Sequence, residues 1–167
     1  MEDILSGNFY NLTCGNLSLN EVVKEMIGYM SLEPKLYYNI VVGCDSSSGE
    51  NPNFPIALVI LKKGQGGRFF LKKINYSQKK FYGWKERILQ EVLLSCETAL
   101  ILREKIEKET ENLSLNYEFR YIHADIGGNG ITRDMIKEVV GLIKGNGFEP
   151  KLKPESFAAS NVADRYS

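Results

Sequence analysis

Apolar and polar positions divide the chain into stretches of two periods. Ser18-Leu19-Asn20-Glu21 has the spacing of a capping box. In that motif serine hydroxyl and glutamate carboxylate each satisfy a free backbone N–H of a first helical turn. It predicts a helix over residues 19–30, stopped at Glu33-Pro34 because the residue before proline avoids helical angles. Residues 37–45 form an apolar strand ending in Asp45, and a Ser/Gly/Asn/Pro loop over 46–52 follows. Residues 54–61 are continuously apolar, the pattern of a strand covered on both faces. Gly64-Gln65-Gly66-Gly67 turns the chain back into a strand over 69–76. Ile88, Val92, Cys96, Ala99, Leu102 and Ile106 then recur every three or four positions, giving one buried stripe on a helix over 82–111.

A fourth strand over 117–125 ends in Asp125, and Ile126-Gly127-Gly128-Asn129-Gly130 breaks the chain. A helix over 132–144 closes on Gly145-Asn146-Gly147. A short strand over 148–152 and a helical turn over 158–165 complete the order β-β-β-α-β-α-β-α, preceded by the N-terminal helix. Strands joined by short loops are antiparallel neighbours, whereas those separated by helices enter in parallel by crossovers. The expectation is a three-layer α/β domain with a five-stranded mixed sheet: residues 1–35 are an extension and helix, 36–167 the domain proper, and the whole is one compact unit.

Composition narrows the classes. The 167 residues carry 21 basic and 21 acidic side chains, so net charge selects no partner. Three cysteines without a Cys-x-x-Cys pair read as free core thiols, and a single histidine leaves no ligand set for structural zinc. Met1-Glu2-Asp3-Ile4 is no basic leader, and no apolar run has the length of a membrane span. These features lead us to expect a reduced, cytoplasmic protein off the membrane, with its oligomeric state left open.

The candidate chemistry lies in Asp45, Asp125 and Asp164. The first two end strands and the third falls in Asn161-Val162-Ala163-Asp164. Carboxylates brought together repel unless a hard cation lies between them. A second feature is local charge. Lys62, Lys63, Arg68, Lys72, Lys73, Lys79, Lys80, Lys85 and Arg87 are interleaved with aromatic residues, among them Tyr82 and Trp84, and Glu86 is the only acid in that stretch. Such cations neutralise phosphates and exposed rings stack on bases. The plainer alternative is a sheet-edge hairpin kept soluble by its lysines.

The element order and the strings Gly43-Cys44-Asp45-Ser46-Ser47, His123-Ala124-Asp125-Ile126-Gly127 and Asn161-Val162-Ala163-Asp164-Arg165-Tyr166-Ser167 resemble the ribonuclease H-like superfamily, and within it the bacterial YkuK family. The resemblance covers residues 36–167 and implies a metal-dependent nuclease. It makes Asp45 the ligand shared by two Mg²⁺ or Mn²⁺ ions, Asp125 a second ligand and Asp164 the ligand nearer the attacking water. A helix acid completes the set, either Glu91 or Glu86 five residues earlier, with Glu91 preferred. Ser46, His123 and Asn161 are candidates for supporting these ligands. His123 reads first as a buried, hydrogen-bonded residue, and the histidine that such enzymes often carry before the last acid has no counterpart here.

Two other readings fit the residues less well. The glycines after Asp125 resemble the first motif of S-adenosylmethionine methyltransferases, but only 37 residues follow Gly130, so a tight turn is preferred. A ribonuclease H-like module that binds nucleic acid or protein without cutting is the main alternative to the nuclease. RNA, DNA and hybrid substrates are equally compatible with the sequence.

Overall fold

The structure, a computed structural model, describes Ile4 and residues 6–167; Met1, Glu2, Asp3 and Leu5, and with them most of the non-basic start of the chain, lie outside the described residues. The first element is a hairpin of two short strands, β1 (Phe9–Asn11) and β2 (Gly15–Leu17). Asn11 builds its turn: Oδ1 accepts from the N–H groups of Thr13 and Cys14, both at 2.9 Å. The Asn11 Nδ2 donates to the Phe69 carbonyl at 2.9 Å, tying the hairpin to the main sheet. Helix α1 (Leu19–Leu32) begins at the capping box, where Ser18 Oγ accepts from Glu21 N–H at 3.2 Å and Glu21 Oε2 accepts from Ser18 N–H at 2.7 Å.

Strands β3 (Tyr37–Cys44), β4 (Asn53–Lys62) and β5 (Gly66–Asn75) form an antiparallel meander. Helix α2 (Trp84–Thr110) crosses back, β6 (Asn116–His123) joins β3 in parallel, and helix α3 (Ile136–Gly145) leads to β7 (Glu149–Lys151), parallel to β6. The sheet order is β2-β1-β5-β4-β3-β6-β7. The five expected strands are present. The sheet has seven because β1 adds beside β5 through Tyr10 and Leu71. β5 is therefore an inner strand, and the β4–β5 hairpin is not the edge of the sheet. Strands of three residues are too short to show a period of two.

Two helical expectations also change in detail. The helix expected over 132–144 opens as a tight 3₁₀ turn, Ile131–Met135, before α3 begins, and Gly147 ends it at φ +83°. The closing turn is wide and π-helical over Ala158–Ala163, then 3₁₀ over Asp164–Tyr166.

The two faces of the sheet are covered unequally. On one face α1, α2 and α3 bury Met26, Met30, Tyr38, Phe54, Phe70, Leu102 and Ile143 in the main core. Each such side chain contributes about 1.5–3 kcal/mol by leaving water. The other face carries Val41, Ala57, Val59 and Leu71, closed by Ala158 and Ala163 of the last turn. All three cysteines are free, with Cys44 and Cys96 buried. Among the described residues no helix is long and apolar enough to cross a membrane.

Gly43 is where the last turn meets the sheet. A Cβ there would stand 2.5 Å from Ala159 N and 2.7 Å from the Ala158 carbonyl carbon, so backbone packs on backbone. Gly43→Ala should therefore cost about 1–3 kcal/mol through overpacking. Thermal denaturation should show a lower Tm, and limited proteolysis should cut after residue 150 sooner than in the wild type. An unchanged Tm would show that the turn shifts without loss.

Candidate functional site

Three parallel strands end side by side at one edge. Gly43 pairs with His123 and His123 with Lys151, so these residues form one row across β3, β6 and β7. Two residues further along each chain stand Asp45, Asp125 and Lys153. Neighbouring strands are about 4.8 Å apart, so the parallel register alone gathers two carboxylates and an ammonium at this edge. α2 brings Glu91 from the main-core side, and the turn docked on Gly43 brings Asp164 from the other.

Each acid has distinct surroundings. Glu91 is 7% exposed, and its Oε1 accepts from Ser46 N–H at 3.0 Å and from Ser46 Oγ at 2.5 Å. Burial pushes its carboxyl up to about 8; the Ser46 hydrogen bonds oppose this, while the charges of Asp45 and Asp125 add to it. Asp45 is raised to about 7, first by burial, then by a hydrogen bond with the Asp164 carboxyl and by the charges of Asp125 and Asp164. The Asp125 Oδ1 accepts from Ser160 Oγ at 2.6 Å and pairs with Lys153 Nζ at 3.1 Å. Ser160 in turn shares a 2.7 Å hydrogen bond with the fully buried Ser156 hydroxyl.

All four acids expected from the sequence thus interact electrostatically at one edge. Glu91 is the helix acid that faces inward; Glu86 is exposed and accepts from Tyr82 N–H at 3.3 Å. No group of three acidic, histidine or cysteine side chains among the described residues is already arranged to hold a metal ion. Oxygens of Glu91 and Asp125 are engaged with Ser46, Ser160 and Lys153 instead. The donor chemistry, oxygen throughout and mostly anionic, still suits a hard cation such as Mg²⁺ or Mn²⁺.

Of the supporting candidates, Ser46 holds Glu91, and Asn161 is exposed on the last turn. His123 is buried: Nδ1 accepts from Ala158 N–H at 3.1 Å, and its ring meets Phe157 edge-on at 4.7 Å. Burial, followed by the nearby Lys151 charge, lowers its pKa to about 4. It therefore anchors the last turn as a neutral ring. Lys153 and Ser160 were not apparent from sequence; the signal for Lys153 was its place two residues beyond a parallel strand.

The basic stretch does not form one strip. Lys62 pairs with Glu33 and lies over Tyr29; Arg68 pairs with Glu25 at 3.7 Å and lies over the same ring. Lys62 sits opposite Tyr38, seven residues from Asp45 along β3, roughly 23 Å away at the strand rise. Lys63 lies at that same far turn. Lys72 is buried and donates to the Ile4 and Ser6 carbonyls. Lys62, Lys63 and Arg68 do not reach the acidic edge, because β4 runs away from it before the hairpin turns; Lys72, opposite Ile56 and so level with Cys44, is instead held by the Ile4 and Ser6 carbonyls.

Lys73, Lys79, Lys80, Tyr82, Trp84, Lys85 and Arg87 follow the return of β5 to the acidic end. There Lys79 donates to Gln90 Oε1 at 3.0 Å, Lys80 pairs with Glu50 at 3.5 Å, and Lys85 lies over Trp84. Tyr82 is 78% exposed.

Residues 21–167 match the family described as Ribonuclease H-like, and the chain belongs to that family. Over 169 aligned residues it is 30% identical to the uncharacterised protein YkuK of Bacillus subtilis (strain 168), covering 95% of this chain and 96% of that protein. No solved structure matches the chain.

The raised carboxyls make stability depend on pH. Asp45 and Glu91 bind protons more tightly folded than unfolded, where such groups titrate near 4. Their stabilising contribution is therefore complete below about 4 and is lost as pH rises through about 7 and 8. In chelator, the wild-type Tm should fall between pH 5 and 8, and Asp45→Asn should flatten that fall. The gain at pH 8 should be about 2–4 °C for each kcal/mol of repulsion relieved. Parallel curves for the two proteins would reject repulsion at Asp45.

Proposed function

We propose that this protein is a nuclease that hydrolyses nucleic-acid phosphodiester bonds with Mg²⁺ or Mn²⁺, held by Asp45, Glu91, Asp125 and Asp164. The observation that carries this reading is the meeting of four acids from four separate segments at one edge, where burial and mutual repulsion raise Asp45 and Glu91. A fold gains no stability from such a grouping. Membership of the ribonuclease H-like family agrees with it.

When bound, a pair of divalent ions activates a water and stabilises the leaving oxygen of a phosphodiester. The chain's own residues supply the rest. Asp45, between Asp125 and Asp164, is the acid in position to be shared. Ser46 orients Glu91 through two hydrogen bonds, and Ser160 orients Asp125. Lys73 and Lys85 stand at the same end to neutralise phosphates, and Tyr82 offers an exposed ring to a base.

The direct test is cleavage of labelled single strands, duplexes and RNA–DNA hybrids in Mg²⁺ and in Mn²⁺. Asp45→Asn keeps the side-chain size but removes the shared charge, and cleavage should fall at least about 10²–10³-fold. Equal cleavage by both proteins would reject the assignment. No cleavage by either, with no Mn²⁺ uptake in calorimetry, would leave a non-catalytic binding module.

Substrate contact has its own test. Lys73→Glu/Lys85→Glu should weaken nucleic-acid binding and lower the log–log salt slope by about 0.7–0.9 per lost phosphate contact. Lys62→Glu/Arg68→Glu, at the far end, should leave the slope unchanged. The opposite pattern would move the binding surface to the α1 side.

A further inference from the structure

The acidic edge already contains a cation, and it belongs to the chain. Lys153 Nζ lies 3.1 Å from Asp125 Oδ1, on the oxygen that also accepts from Ser160. This contact is built by backbone. Lys153 N–H donates to the Ile126 carbonyl at 2.8 Å, and the β7 register puts the residue in the same row as Asp45 and Asp125. Its stem lies on Gly127, where an added Cβ would come within 3.1 Å of Lys153 Cβ. The base of the side chain is thus fixed while its end is free to swing, since the side chain is 50% exposed.

We propose that Lys153 is an internal counter-ion that a divalent cation must displace from Asp125, so that this lysine sets the metal affinity of the site. The proposal rests on the reading of the four acids as metal ligands. Without metal, Asp125 shares one edge with three other acids, and Lys153 is the ammonium paired with it. Two divalent ions would neutralise all four acids and leave the ammonium as excess charge beside like charge. An ion on Asp125 therefore repels Lys153, and Lys153 on Asp125 repels the ion. The half-exposed side chain can leave for water at little cost, because exposed ion pairs are weak.

Such exchange gives Lys153 opposite effects in two conditions, which ordinary packing would not. In chelator, Lys153→Met should lower Tm, because the acids lose their compensating charge. In saturating Mn²⁺ the deficit should vanish or invert, because only wild type must give up an ion pair on binding. Calorimetric Mn²⁺ titration should show about fivefold tighter binding by Lys153→Met than by wild type. Lys153→Arg, which keeps the charge, should bind Mn²⁺ like wild type; Lys153→Gln repeats the neutral test with a polar end should the methionine variant fold poorly.

Wild type and neutral variants binding Mn²⁺ equally, or the variants more weakly, would overturn the exchange while leaving the metal site intact. A Tm deficit that persists in saturating Mn²⁺ would do the same. Absence of Mn²⁺ binding by every protein would instead reject the metal reading, and the exchange with it.

Discussion

The contact on which the site depends is one where a side chain is missing. The last turn crosses β3 at Gly43 with its backbone where a Cβ would be, and this closeness brings Asp164 to Asp45. Small residues on the other partner, Ala158, Ala159 and Ala163, make the approach possible, and His123 fixes its position by accepting from Ala158 N–H. The site's fourth acid is therefore positioned by steric absence and one buried imidazole.

Around this contact the electrostatics are unfavourable to the fold. Burial raises Glu91 most strongly, and Asp45 is raised by burial together with two neighbouring acids. Serine hydroxyls soften the cost without removing it: Ser46 binds Glu91 and Ser160 binds Asp125. Both serines are adjacent in sequence to site elements, and both would be unremarkable as surface residues. Their value lies in fixing the orientation of carboxylates that would otherwise swing apart.

Much of this was legible in the sequence, for reasons that differ by element. The capping box at Ser18 and Glu21 is a local interaction, so four residues sufficed to start α1 at Leu19. The strand order followed from connection lengths, and the parallel register then placed Asp45 and Asp125 together. The β1–β2 hairpin escaped because its pairing depends on the Asn11 side chain bridging to Phe69, a contact 58 residues away. The choice between Glu91 and Glu86 needed burial, since both lie on the first half of α2. The basic stretch misled for a geometric reason: closeness along the chain places Lys62 and Lys73 together, but the hairpin separates them to opposite ends of the sheet. Lys153 looks like any surface lysine until β7 is laid beside β6.

The unequal covering of the two sheet faces bears on the acidic site. Three helices hold one face, whereas the other is closed by a single short segment, whose Ala158 and Ala163 are buried and whose Phe157, Val162 and Tyr166 pack against it. Asp164 therefore belongs to a different packing unit from Asp45, Glu91 and Asp125, which stand on or beside the elements of the main core. Completion of the acidic site thus depends on a segment that shares no side chain with the main core, and whatever binds all four acids at once ties that segment to the sheet.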